Sequence, residues 1–304
     1  IIVTYDGDEF GTIEESDMQL PHRAFDAHVR LGFDAGDTTK SILTNERYIA
    51  ARNASVAHAW GLFDISPITV VLGGWDSTRK KHQARFASCV TGEIIGVLSD
   101  QEAEPSKVVT HRSGARIDPI GASMSFSSKK EVEIRQRLEL PPAKKGKEGK
   151  GSGLVIGAIP PGTGEDALDG ISAQRIIRSR VLSFATLRSL EFDKGAEGDQ
   201  AIRALLAAIA INAMVRADAE LCLRANAHLA EKDVPKIILY KRFGEKIALK
   251  PTSIEEADEL LDQAYEEAVS SAGLDWHGQT FNVTGEPAVV QGVDDTADNT
   301  ASEG

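Results

Sequence analysis

Residues 73–85 read Gly-Gly-Trp-Asp-Ser-Thr-Arg-Lys-Lys-His-Gln-Ala-Arg, and they follow a short apolar run, Ile68–Leu72. The β-branched run predicts a strand, the paired glycines predict a tight turn, and Asp76-Ser77 predicts the start of a helix. The unpaired N–H groups at a helix N-terminus attract anions, and Trp75 offers a ring for stacking against a base. The stretch therefore predicts a site for a nucleotide or nucleic acid. The alternative is an ordinary capped surface helix with a solvated basic face.

The net charge of −12 conceals a strong segregation of charge along the chain. Residues 1–17 contain six acidic residues and no Lys or Arg, and residues 251–304 contain thirteen acidic residues and again no Lys or Arg. Because these two ends together carry nineteen negative charges, residues 18–250 carry a formal charge of +7. A basic body with acidic ends favours a polyanionic partner. Acidic ends that only maintain solubility are the alternative.

Cysteine content and hydropathy indicate the cellular compartment in which the protein is expected. Cys89 and Cys222 are the two cysteines, and they show no C-x-x-C spacing, so neither a disulfide framework nor a zinc site is predicted. The longest apolar run, around residues 204–215, is too short and too rich in alanine to predict a membrane span. No secretory signal is visible. We therefore expect a cytoplasmic protein without a membrane partner.

The order of predicted elements favours an α+β fold, because strands and helices follow one another without a regular βα repeat. Period-two alternation or β-branched runs predict strands at 68–72, 107–111, 129–140, 220–229 and 237–243. Helical spacing predicts helices at 77–95, 172–190 and 199–217, and the capping box Ser253-Ile-Glu-Glu256 opens a further helix.

Catalytic constellations are absent from the sequence. It has no Walker A motif, no H-E-x-x-H and no G-x-S-x-G. His22, Asp26 and His28 do not follow a standard metal-ligand spacing, and helix capping accounts for Asp76 without a role as general base. We therefore expect no enzymatic activity, no metal and no cofactor.

Five segments, in order along residues 20–285, carry a resemblance to a known family. They are Pro21–Arg30, Gly73–Thr78 with its continuation Ser88–Gly96, Gly157–Pro161, Ser172–Phe192 and Glu220–Leu229. Together they resemble the backbone subunit of the type I-U (also called I-G) CRISPR Cascade complex, a member of the RAMP superfamily.

The resemblance implies an α+β fold with a ferredoxin-like (RRM-like) palm, helical insertions and a β-hairpin thumb. It implies one RNA-binding domain over residues 1–285, with the thumb and a flexible basic loop within about residues 100–153, followed by an acidic disordered tail at residues 286–304. Members of the family are scaffolds without catalytic residues: copies stack head to tail along a crRNA, beside other Cascade subunits. The guide then pairs with target DNA in antiviral defence.

The expected RNA-binding residues combine this resemblance with the distribution of basic and aromatic side chains. They are His22, Arg23, Arg30, Lys40, Trp75, Ser77, Thr78, Arg79, Lys80, Lys81, Arg85, Arg112, Arg116, Arg175 and Arg178. Two alternatives stay open: a metal-independent ribonuclease of the same superfamily that uses His22, His28 or His111, and a nucleotide-binding enzyme that uses the Gly73–Arg79 loop.

Overall fold

The fold is α+β, as the sequence predicts. The computed structural model describes residues 1–5, 13–16, 24–79, 81–98, 128–137, 142, 173–219, 229–277 and 280–286. The strands in this part of the chain are β1 Ile2–Tyr5, β2 Ile13–Ser16, β3 Phe33–Asp34, β4 Asp37–Ser41, β5 Gly74–Trp75, β6 Arg85–Phe86, β7 Val90–Leu98, β8 Ala173–Leu182, β9 Ile237–Tyr240, β10 Lys246–Leu249 and β11 Asn282–Thr284. The α-helices are α1 Ala27–Arg30, α2 Glu46–Asn53, α3 Trp60–Ile65, α4 Pro67–Leu72, α5 Ser128–Arg137, α6 Phe184–Arg188, α7 Gly195–Ala219 and α8 Ile254–Ala272.

The described residues divide into two compact units. The first contains the chain up to Ser88, helix α5 and the segment from Trp276 onward. Its sheet has the order β2-β1-β11-β3-β4, in which β1 and β11 are parallel and the other neighbours are antiparallel. The second unit contains β7 to β10 and helices α6 to α8.

The strand predicted at Ile68–Leu72 is wrong, because these residues form helix α4. Pro67 occupies the first turn, where its missing N–H costs nothing and its fixed φ suits a helix. Gly73 ends the helix with a φ of +80°, a backbone conformation that glycine tolerates. Thr69, Val70 and Val71 are buried, so packing outweighs the strand preference of the β-branched side chains.

The helix predicted at 77–95 is also wrong, because β5 and β6 form a hairpin and β7 follows. The prediction used the spacing of four between Phe86, Val90 and Ile94. That spacing is also a multiple of two, so it fits one face of extended chain equally well.

The predicted strand at 129–140 is in fact α5 over its described part, Ser128–Arg137. Its buried positions are Glu131, Ile134 and Arg135, which share one helical face. Arg135 Nε donates to Glu131 Oε1 over 2.7 Å, so each buried charge is neutralised by the other. A prediction based on hydropathy places charged residues outside, so it misses a buried charged pair of this kind. It also places Val132 inside, whereas Val132 is exposed.

The predicted helix 172–190 is wrong over most of its length. Residues 173–182 form β8, which pairs antiparallel with β7, and only α6 at Phe184–Arg188 is helical. Arg178 and Arg180 lie two positions apart and therefore on one face of the strand. Both form ion pairs with Asp218 of α7.

Helix α7 confirms the alanine-rich helix predicted at 199–217, and α8 packs along it. Asn212 Nδ2 and Arg216 Nη2 both reach Asp258 of α8, at 2.6 and 2.8 Å. Helix α7 has 25 residues and contains an 18-residue window with a mean hydropathy of 1.3, so it is the one described helix long and apolar enough to cross a membrane, which corrects the expectation that this run is too short. The core helix of a globular protein passes the same test, and Ile202 and Leu205 are buried.

The capping box is confirmed. Ser253 Oγ accepts the Glu256 amide and the Ser253 amide donates to Glu256 Oε2, both at 3.1 Å. The strand predicted at 237–243 is confirmed as β9 over Ile237–Tyr240. The predictions for 107–111, 220–228 and 287–304 lie outside the described residues, as does most of the predicted thumb at 100–153.

Candidate nucleic-acid interface

The stretch that begins at Gly73 folds as a hairpin rather than as the start of a helix. Gly74 pairs with Phe86, Trp75 pairs with Arg85, and the Asp76 amide donates to the Ala84 carbonyl over 2.9 Å. A Cβ on Gly73 would lie 2.6 Å from the Ser88 amide nitrogen, so this close approach of two backbone segments requires glycine.

A buried carboxylate fixes the turn of this hairpin. Asp76 is fully buried; its Oδ1 accepts from the Thr78 hydroxyl at 2.6 Å, and its Oδ2 accepts from Arg52 Nε at 2.7 Å. Burial on its own raises the pKa of Asp76, but the hydrogen bonds from Thr78 and Arg52 outweigh it and hold the pKa below its ordinary value. Asp76 is therefore a structural anion, which does not favour its use as a general base.

The predicted helix N-terminus at Asp76-Ser77 is absent, so the anion site that depended on its free amides is a wrong prediction. The Thr78 amide donates to Asp76 Oδ1 over 3.2 Å instead. Ser77 is exposed, and its amide donates to the Trp75 carbonyl over 3.1 Å.

Arg79 ties the hairpin to the end of α2. Its Nη1 donates to the Arg52 carbonyl and to Asn53 Oδ1, both at 2.7 Å. Its own carbonyl accepts from Gln83 Nε2. Arg79 Nη1 therefore anchors the hairpin to the end of α2.

Trp75 and Arg85 form an exposed pair on the hairpin. Trp75 is 52% exposed, and the Arg85 guanidinium lies 4.6 Å from the centroid of its ring, within the range of a cation–π contact. Trp75 Nε1 donates to Gln83 Oε1 over 3.0 Å, which fixes the plane of the ring. Lys81 is exposed in the same turn. A fixed aromatic face beside a cation suits a base and its phosphate.

The other predicted RNA-binding residues are dispersed. Arg30 is buried with its Nε donating to the Phe25 carbonyl over 2.8 Å, and burial lowers its pKa. Lys40 is exposed and forms an ion pair with Asp37 at 3.0 Å. Arg175 is exposed on β8, whereas Arg178 is held by Asp218. The predictions for His22, Arg23, Lys80, Arg112 and Arg116 fall on residues outside the described part of the chain.

Among the described residues, no group of three His, Cys, Asp or Glu side chains lies close enough together to hold a metal ion. Asp26 Oδ1 accepts the His28 amide over 2.9 Å and caps α1, and the His28 side chain is buried. Burial raises the pKa of the Cys89 thiol to about 11, which keeps it protonated at neutral pH.

Arg52, Asn53 and Gln83 belong to this site but are not among the residues predicted to bind RNA. Arg52 meets Asp76 across 24 positions of the chain, and Asn53 meets Arg79 across 26. The only available signal was that Asp76 would need a cation if it were buried.

The family of the CRISPR-associated protein GSU0053 matches residues 3–100, about a third of the chain, and this range includes the whole hairpin. No curated protein and no solved structure matches the chain. The similarity of residues 3–100 to the GSU0053 family confirms the predicted resemblance of this chain to a CRISPR-associated protein of the RAMP type.

Proposed function

We propose that this protein is the backbone subunit of a CRISPR RNA-guided Cascade complex of type I-U (I-G), which binds crRNA without sequence preference and presents it for pairing with target DNA. The observation that carries the proposal is the match of residues 3–100 to a CRISPR-associated family. The ligand of such a subunit is a polyanion, in keeping with the charge of +7 on residues 18–250.

The hairpin at 74–86 supports a role in contacting RNA. Its exposed Trp75–Arg85 pair and Lys81 offer a ring and cations, and the nearby Gln83 amide is engaged by Trp75 Nε1 and the Arg79 carbonyl. Contacts to backbone and to ring faces tolerate any sequence, as they must where base pairing carries the specificity.

The sheet of the first unit supports the proposal of a ferredoxin-like palm. Such a β-α-β-β-α-β arrangement has a central parallel pair flanked by antiparallel strands. Here β1 and β11 form the parallel pair, with β2 and β3 antiparallel outside them. The sheet differs in two respects: β2 follows β1 directly in the chain, and a fifth strand, β4, pairs with β3 at the edge.

The role proposed here is that of a non-catalytic scaffold in the cytoplasm, with further copies of the chain head to tail, other Cascade subunits and target DNA as partners. The sequence offers no assembled nucleophile, base and orienting group, and Asp76 is used for structure.

Purification of the full chain, co-expressed with a CRISPR array and the other subunits encoded with it, tests the proposal. We expect a high ratio of absorbance at 260 to 280 nm and an extracted RNA of one uniform length. A complex without RNA, or with RNA of random lengths drawn from the whole transcriptome, would contradict it.

A further inference from the structure

A second hairpin, β9–β10 in the second unit, carries an unusual combination of exposed side chains. Phe243 at its tip is 98% exposed, the highest value among the large hydrophobic residues that the structure describes. Tyr240 is 66% exposed. A ring that buries almost no surface contributes little to folding, and it is accessible to a partner outside the chain.

The backbone holds the tip residue in place. The Lys241 amide donates to the Glu245 carbonyl over 2.8 Å, which closes a tight turn. Within that turn Phe243 has a φ of +59°, in the left-handed region that a bulky residue rarely adopts. Gly244 follows with a φ of +79°. Positive φ at two successive residues is what a tight hairpin turn requires, so the turn holds Phe243 at the tip, a position usually taken by Asn, Asp or Gly.

Cations accompany both rings. The Arg242 guanidinium lies 5.4 Å from the Phe243 ring centroid, and Lys246 Nζ lies 5.1 Å from that of Tyr240. Tyr240 and Lys246 are directly paired in the register, so they share the exposed face of the hairpin. In the described part of the chain neither Arg242 nor Lys246 pairs with a carboxylate, whereas Lys241 does so with Glu245 at 3.1 Å.

We propose that the β9–β10 hairpin is a second binding element for single-stranded nucleic acid, in which Phe243 stacks on a base and Arg242 and Lys246 neutralise the adjoining phosphates. Rings interleaved with unpaired cations are what a single strand requires, because every base has a face to stack and every linkage carries a charge. The inference rests on the proposed function, since it assumes that the chain binds a nucleic acid, but it assigns residues that the sequence did not single out.

Substitution at the tip tests stacking. Fluorescence anisotropy with labelled 20-nucleotide oligouridylate and oligothymidylate measures the affinity of the full chain and of F243A, F243L and F243W. We expect F243A and F243L to bind about tenfold more weakly and F243W to bind as the wild type does, because only an aromatic ring stacks. F184A is the control, since Phe184 is also an exposed ring beside an arginine, Arg188, in the same unit.

Photo-cross-linking locates the contact independently. A 5-iodouridine oligonucleotide irradiated with the wild-type chain should attach to a peptide that contains Tyr240 or Phe243. A hairpin effect on RNA alone assigns the element to the guide, and an effect on DNA alone assigns it to a DNA strand.

Wild-type affinity in F243A or F243L together with no cross-link in residues 237–249 would overturn the hairpin proposal while leaving the proposed function intact. Equal weakening in F243W and F243A would exclude stacking. A wild-type chain that binds neither oligonucleotide would overturn both proposals.

Discussion

Arg52 Nε donates to Asp76 Oδ2 over 2.7 Å, and this buried contact joins the end of α2 to the turn of the β5–β6 hairpin. The side chain of Asp76 has no exposed surface and that of Arg52 is 17% exposed. Because Asp76 directly follows Trp75 and its amide donates to the carbonyl of Ala84, next to Arg85, the pair links the stability of the first unit to the geometry of the candidate RNA contact.

Replacement of Asp76 by Ala should strongly destabilise the protein. It leaves Arg52 without its carboxylate, and breaking a buried pair in this way costs about 3 kcal/mol. Chemical denaturation of D76A measures the free energy of unfolding. The matched control is D64A, which breaks the more exposed Arg47–Asp64 pair and should cost less than about 1 kcal/mol. Equal losses of unfolding free energy in the two variants would show that the Arg52–Asp76 pair contributes no more to stability than the more exposed pair does.

The Asp76 carboxylate should also make stability depend on pH in the acid range. Its pKa in the folded state lies below that in the unfolded state, so its contribution is fully present above about pH 4, the ordinary Asp value, and is lost as the pH falls through the folded pKa. Unfolding free energies of wild type and D76N, measured from pH 6 down to pH 2, should converge on acidification. A constant difference across that range would show that the pKa of Asp76 is not lowered by folding.

Alanine at Gly73 should be poorly tolerated, because the φ of +80° is strained for alanine and the new Cβ would meet the Ser88 amide. We expect a loss of about 2 kcal/mol or more. Gly195 has a similar φ of +74° but open space around its Cβ position, so G195A carries the strain without the clash and should lose less. Thermal unfolding of the two variants compares them, and a greater loss in G195A would refute the close approach of Gly73 to Ser88.

The capping box at Ser253 and the alanine-rich α7 could be predicted from sequence because each depends on a local pattern. The strands β7 and β8 could not, because each is stabilised by pairing with a partner about 80 residues away. Helix α4 shows the same limit: its buried Thr69, Val70 and Val71 look like a strand until their packing is known.

For the candidate site, the sequence pointed to Trp75, Lys81 and Arg85 but predicted the wrong local structure around them. It placed them at a helix N-terminus, whereas the structure places them on a hairpin held by Asp76 and Arg52. The residue types, an aromatic ring and two cations, are visible in the sequence. The contact between Arg52 and Asp76 that fixes the hairpin joins residues 24 positions apart, and no local pattern indicates it.

Substitution of Arg85 by Gln should weaken RNA binding and reduce its dependence on salt. Loss of one phosphate contact lowers the slope of log K against log salt by about 0.7 for a single strand. R47Q removes the same formal charge from a guanidinium that is paired with Asp64, so its slope should stay unchanged. Titrations of a labelled single-stranded RNA between low and moderate ionic strength supply both slopes. An unchanged slope in R85Q would remove Arg85 from the interface.

The central claim is that the chain coats a single-stranded RNA as a sequence-independent scaffold. Light scattering of the purified protein on RNAs of 20, 40 and 60 nucleotides, each in two unrelated sequences, measures the bound mass directly. We expect the number of bound copies to rise in proportion to RNA length and to be the same for both sequences. One copy, or one closed dimer, on RNA of every length would contradict it.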